Sequence, residues 1–197
     1  SMIFNQTSEG EGVASLEAYI ISKELLISMM DSCAAANHYH FHRDAIAAYL
    51  EAGGKVNVYV HSGYAKRIMS TETYFRCSMD MLRPECRADL FPADRPVRTK
   101  SHEDVSTYYG EDAFIRNSLV ADGCIIEGVV KNSILSRGAR VAKGAVVENS
   151  ILMQDSYVGE NTKLNCVIMD KNTVITPNKV LSGDKSYPFF VGKDTVI

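Results

Sequence analysis

In the last third of the chain, single aliphatic residues recur about every six positions with small or turn-forming residues between them. Examples are Val141-Ala142-Lys143-Gly144-Ala145-Val146 and Val158-Gly159-Glu160-Asn161-Thr162-Lys163. Four lines nearly superimpose: Ile115-Arg116-Asn117-Ser118-Leu119-Val120, Val130-Lys131-Asn132-Ser133-Ile134-Leu135, Val147-Glu148-Asn149-Ser150-Ile151-Leu152 and Leu164-Asn165-Cys166-Val167-Ile168-Met169. Their starts differ by 15, 17 and 17 residues. Three hexapeptides per turn predict a parallel β-helix, in which no coil buries its apolar edge alone and each stacks on its neighbours. The aliphatics should point inward, with Gly123, Gly138, Gly144 and Gly159 at tight corners. The repeated Asn and Ser should stack from coil to coil and hydrogen-bond along the axis. An antiparallel sandwich would explain short strands but not a phased repeat.

The first half alternates between the two periods. Residues 18–22 (Ala-Tyr-Ile-Ile-Ser) and 55–60 (Lys-Val-Asn-Val-Tyr-Val) read as strands. Residues 23–36 carry Leu25, Leu26, Met29, Met30 and Cys33 at helical spacing with Ser22 placed to cap them. A second helix is predicted over 43–52, ended by Gly53-Gly54, and a third over 71–82. Prolines at 84, 92 and 96 mark an extended linker. The predicted organisation is an α/β segment over 1–83, a linker over 84–110 and a β-helix over 111–197. One strand and two helices at the start resemble the back end of an α/β domain, whose sheet would continue upstream. Nucleotide sites in open α/β sheets use Gly-rich loops at the strands' carboxyl ends, and no such loop is present.

Composition removes several classes of function. With 21 basic and 24 acidic residues and a net charge of −3, there is no cationic footprint for nucleic acid. No apolar run approaches the roughly 20 residues of a membrane span, and the start lacks a secretory signal, so the expected location is the cytoplasm. Five widely spaced cysteines (33, 77, 86, 124, 166) without a CxxC pair argue for reduced thiols, not a disulfide framework or a zinc knuckle.

Candidate chemistry is sparse. His38, His40 and His42 alternate, so an extended backbone would aim all three to one side, as a zinc site could use; a fourth ligand and supporting partners are lacking, and a solvated loop explains them equally. Hexapeptide acyltransferases need a general base beside their coils, and no histidine lies within the repeat, although His102 lies just ahead of it. Arg137 and Arg140, with Lys143 nearby, form a small basic cluster able to grip a phosphate or carboxylate, or merely a solvated edge.

The stretch Asn117-Ser118-Leu119-Val120-Ala121-Asp122-Gly123-Cys124-Ile125-Ile126 and the coils after it resemble the C-terminal β-helix of ADP-glucose pyrophosphorylase, glucose-1-phosphate adenylyltransferase. Upstream, Ala14-Ser15-Leu16-Glu17-Ala18-Tyr19 is similar to the family's Ala-Ser-Met-Gly-Ile-Tyr strand. Residues 64–74 fall where the family has Gly-Tyr-Trp-x-Asp-Val-Gly-Thr. The resemblance covers the chain from about residue 13 and implies the C-terminal part of a nucleotidyltransferase-like domain followed by a left-handed parallel β-helix of hexapeptide repeats. It implies an enzyme that joins ATP to glucose 1-phosphate with Mg2+ in glycogen biosynthesis.

The departures from the family pattern set the functional expectation. Gly63-Tyr64-Ala65-Lys66-Arg67 puts Ala65 in place of the Trp and Arg67 in place of the metal-holding Asp. An arginine brings a permanent positive charge and no acceptor for magnesium. The family's Asp-Phe-Gly-Lys-Asp reads His40-Phe41-His42-Arg43-Asp44, and the Met-Gly after Ser15 reads Leu16-Glu17. Ser15 and Asp44 remain as substrate-side candidates, and Arg140, with Arg137 three residues before it on the same coil, as effector-side candidates. This chain alone is expected to hold no cofactor or metal and to be inactive. It resembles the non-catalytic regulatory partner subunit of bacterial enzymes of mixed composition, which would associate with itself and with a catalytic sister and respond to a sugar-phosphate effector. The competing readings are an active adenylyltransferase using Glu17, Glu72 or Asp44 for the metal, and a plain oligomerisation module.

Overall fold

The computed structural model describes residues 15–99 and 103–197. The chain divides into two compact units, Ser1–Ala65 and Lys66–Ile197. In the first, helix α1 (Lys23–Ala35) starts at the cap that the sequence predicts: the Ser22 hydroxyl accepts the Leu25 N–H at 3.3 Å. A π-helical turn (Phe41–Ala45) runs directly into α2 (Ile46–Glu51), and Gly53, at φ +83°, takes the left-handed conformation just past the helix end. Met29, Cys33, Ala45 and Ile46 form the small core, with Leu25, Phe41, Tyr49, Leu50 and Val56 packed on it.

The two strands expected at 18–22 and 55–60 are not formed: neither segment is hydrogen-bonded into a sheet among the described residues. Ile20, Val58, Tyr59 and Val60 are exposed. Alternation reports a half-buried pleat, but a strand exists only with a ladder partner, which local sequence does not supply.

The second unit opens with α3 (Thr71–Asp80). Ser70 and Thr73 close a reciprocal cap, Ser70 Oγ accepting the Thr73 N–H at 3.1 Å and Thr73 Oγ1 accepting the Ser70 N–H at 2.8 Å. Helix α4 (Pro84–Leu90) occupies the start of the segment expected to be an extended linker. Proline at the first helical position costs no hydrogen bond and fixes φ for the helix, so Pro84 starts structure there instead of breaking it.

The remainder is the expected parallel β-helix. Among the described residues, fifteen short strands form three parallel five-stranded sheets in which each strand pairs with the third one along. The first face holds β1 (Tyr108–Tyr109), β4 (Ile125–Ile126), β7 (Arg140–Val141), β10 (Tyr157–Val158) and β13 (Val174–Ile175). The second holds β2 (Phe114–Arg116), β5 (Val129–Lys131), β8 (Val146–Glu148), β11 (Lys163–Asn165) and β14 (Val180–Ser182). The third holds β3 (Leu119–Val120), β6 (Ile134–Leu135), β9 (Ile151–Leu152), β12 (Val167–Met169) and β15 (Phe189–Val191). Ile115, Val130, Val147 and Leu164, which open the four sequence lines, stand directly in register, and Leu181 adds a fifth. Inward rows such as Ile126-Val141-Val158-Ile175 and Leu135-Leu152-Met169-Val191 fill the core.

Asn117, Asn132 and Asn149 turn corners at φ +46° to +47°. Asn117 Nδ2 donates to Asn132 Oδ1, and Asn149 Nδ2 to Asn165 Oδ1, each at 2.8 Å. Beside them a serine ladder runs along the axis: Ser118, Ser133 and Ser150 each accept, at 3.1 Å, a backbone N–H from the next coil. Gly123, Gly138 and Gly144 adopt the positive φ expected of corners. Gly159 differs. It does not turn left-handed, and glycine is required there because a Cβ would lie 2.6 Å from the Pro177 nitrogen.

Candidate functional site

The candidate residues fall in three places. In the first unit, Ser15 is exposed and its Oγ accepts the Glu17 N–H at 3.1 Å. Glu17, at φ +57°, brings Oε1 to 3.6 Å from Nδ1 of His42, joining the two segments that depart from the family motifs. Tyr19 meets the Phe41 ring edge-on at 5.4 Å. The π-helical turn is the hinge of this cluster. Its ring closes through the Ile46 N–H to the Phe41 carbonyl, and it ends the alternation at His40, so the three histidines do not share one extended strand. His38 and His40, with Met30, Cys33, Ala34, Tyr39 and Phe41, line a cavity of about 260 Å³. Among the described residues, no group of three or more His, Cys, Asp or Glu side chains is placed to hold a metal ion.

Asp44 is committed to local structure. Its Oδ2 accepts the His40 N–H at 3.1 Å and its Oδ1 accepts from Arg43 Nε at 2.9 Å. The Arg43 hydrogen bond, seconded by the His40 N–H, holds its carboxyl down at about 2, against an ordinary 3.8.

The second place is the exposed segment ahead of α3. Arg67 is exposed there, three residues before the capping Ser70, and Glu72 in the first turn of α3 pairs with Arg76 at 3.6 Å. Helix α3 sits on the third face of the coils, with Phe75, 3% exposed, against Ile151, Cys166 and Ile168, flanked by Tyr74 and Met79. Burial raises the Cys166 thiol above its ordinary range, and Cys124 behaves likewise, which keeps both unreactive. Cys77 is half-buried, and all five cysteines are free thiols.

The third place is the coil that carries the basic residues, which the fold separates. Arg137 lies at a corner with Nε 3.9 Å from Asp104 Oδ2, Arg140 is exposed in β7 between Ile125 and Tyr157, and Lys143 lies at the next corner, 3.5 Å from Asp112. Six residues of a coil's side span up to about 20 Å, so closeness in sequence does not make one anion grip. Asp104 and Asp112 leave no local signal, because nothing in the nearby sequence ties a carboxylate to a coil two turns away. His102, the acyltransferase base candidate, lies outside the described residues, as does Ala14.

Comparison with known proteins agrees with this architecture. The GlmU-like C-terminal hexapeptide family matches residues 102–187. Glucose-1-phosphate adenylyltransferases from Bacillus thuringiensis (strain Al Hakam), Bacillus cereus (strain Q1) and Bacillus anthracis are each 28% identical over 176 residues, covering 88% of this chain and 47% of the relative. This chain resembles the C-terminal part of a glucose-1-phosphate adenylyltransferase. It spans about half the length of the curated relatives it matches. Among the described residues, no helix is long and apolar enough to cross a membrane.

Proposed function

We propose that the chain is the C-terminal part of a glucose-1-phosphate adenylyltransferase-like protein that has lost its own metal site and regulates a catalytic sister within a cytoplasmic hetro-oligomer devoted to glycogen synthesis. The observation that carries the reading is Arg67 at the position where the resembled motif has its metal-holding aspartate. Magnesium takes oxygen ligands, and a guanidinium offers none and stays charged. Each of the other candidate carboxylates is engaged within its own unit: Asp44 is bound to Arg43 and the His40 N–H, Glu72 to Arg76, and Glu17 faces His42. No catalytic step is therefore assigned to the metal in this chain.

On this reading the nucleotidyltransferase-like segment is a scaffold, the coils are left-handed as in the resembled family, and binding energy serves coupling between subunits, typically about 1 to 3 kcal/mol. Arg140 supports an effector role, being an exposed cation with no acidic partner among the described residues, whereas Arg137 already faces Asp104. Ser15 keeps its place at the substrate side, beside Glu17, whose carboxylate would repel a phosphorylated sugar.

The test is pyrophosphate release from ATP and glucose 1-phosphate by the full-length protein, alone and mixed with the catalytic subunit from the same source. Silence alone with altered turnover in the mixture is the expected result. Turnover of the lone protein comparable to a catalytic subunit overturns the reading. An effector response of the mixture that survives Arg140→Ala removes Arg140 from the effector site.

A further inference from the structure

Two glycines of the resembled motifs are replaced here by residues with side chains. Glu17 follows Leu16 where the first motif has Met-Gly, and His42 stands at the glycine of Asp-Phe-Gly-Lys-Asp. The backbone keeps a glycine-type bend at the first of them: Glu17 sits at φ +57°, a left-handed conformation that disfavours any side chain, and Ser15 Oγ accepts its N–H at 3.1 Å. The two added side chains then meet, Glu17 Oε1 lying 3.6 Å from His42 Nδ1. The edge-on contact of Tyr19 with Phe41 at 5.4 Å holds the same two segments together beside them.

Stability does not account for this contact. The His42 and Glu17 side chains are 42% and 36% exposed, and an ion pair so exposed contributes little. Its consequence is occupancy and charge. Glycine at both positions would leave the surface beside Ser15 open to a ligand, whereas a carboxylate and an imidazole facing each other across it take that space. The carboxylate also has the sign of a phosphate. Arg43, the cation next to His42, is held by Asp44 at 2.9 Å and so is already spent. Filled volume and like charge together reject a ligand while the framework around them stays intact.

We propose that the Glu17–His42 pair is a built-in plug that shuts a sugar phosphate out of the surface beside Ser15, a second block that acts separately from Arg67. The inference rests on the proposed function, which puts Ser15 at the substrate side. It concerns binding of the sugar phosphate, whereas Arg67 concerns the metal.

Calorimetric titration of the full-length protein with glucose 1-phosphate tests it, with Arg67 left in place so that binding is read without turnover. Wild type should show no saturable binding up to about 10 mM. Glu17→Gly, which suits the left-handed backbone, and Glu17→Gly combined with His42→Gly should each tighten binding at least about tenfold and release no pyrophosphate. The reverse exchange does not depend on how these variants fold: Gly→Glu and Gly→His at the two matching positions of the catalytic sister should raise its KM for glucose 1-phosphate at least about tenfold and leave that for ATP within about twofold. A gain in neither glycine variant overturns the proposal, as does saturable binding by the wild type or a sister whose two KM values rise together. Turnover by a glycine variant leaves the plug standing and overturns the lost metal site instead.

Discussion

Replacing Ser133 with alanine deletes one hydroxyl that is fully buried. That hydroxyl accepts the Ser150 N–H at 3.1 Å and donates to the Lys131 carbonyl at 2.7 Å. The Lys131 carbonyl also accepts the Asn149 N–H at 3.0 Å, so it keeps a partner. The Ser150 N–H does not, and an orphaned buried donor costs about 1–3 kcal/mol. The same substitution at Ser118 removes the equivalent contacts, with the Ser133 N–H at 3.1 Å and the Arg116 carbonyl at 2.9 Å, but this bond lies half-buried on the first coil. Water can enter and take over the lost partner, leaving a cost of roughly 0.5 kcal/mol. Hydrogen exchange of the coil amides reads each coil's opening free energy directly and suits a chain with two units and no tryptophan. Ser133→Ala and Ser150→Ala should each lower it by about 2 kcal/mol and Ser118→Ala by a quarter of that. Equal losses at all three positions would refute the claim that buried orphaned donors, and not the hydroxyls themselves, set the cost.

Phe75→Ala should cost about 3 kcal/mol by emptying the contact with Ile151, Cys166 and Ile168, and should speed exchange of the amides of α3 more than those of the coils. Gly128→Ala places a Cβ against the backbone oxygens of Ala145 and Ala142, so thermal melting of the coils should fall by the equivalent of about 1–3 kcal/mol even though Gly128 has no left-handed φ. Asp44, held at about 2, is depressed from its ordinary 3.8, so its stabilising effect on the first unit is complete above about pH 4 and lost as pH falls through 2. Helical circular dichroism of the wild type should therefore fall between pH 4 and pH 2 more than that of Asp44→Asn; parallel acid curves would show that the contact to Arg43 and His40 contributes nothing.

The parts of this fold that were legible are those in which one coil repeats the next. Residues separated by 15 or 17 positions occupy the same place, so the register of Ile115, Val130, Val147 and Leu164 is written in the spacing itself. The last coil escaped the pattern because a short excursion after Gly183 puts Val167 opposite Phe189, 22 residues on instead of 17. The strands at 18–22 and 55–60 misled for the opposite reason. Their pattern is local, whereas pairing is not.

The candidate site was legible in residue type but not in arrangement. Arg137, Arg140 and Lys143 look like a cluster along the line of sequence, yet a coil bends between them, and Asp104 and Asp112 answer two of the three charges from elsewhere. A finer signal lay in Leu119-Val120, Ile134-Leu135, Ile151-Leu152 and Ile168-Met169. Adjacent strand residues point to opposite faces, so two consecutive aliphatics per coil force one of them outward. Repeated over four coils, that pairing describes a face built to be covered. Helix α3 covers the half bearing Ile151 and Ile168, and the same sequence rule places Leu119 and Ile134, both half-buried, along an open groove on the other half.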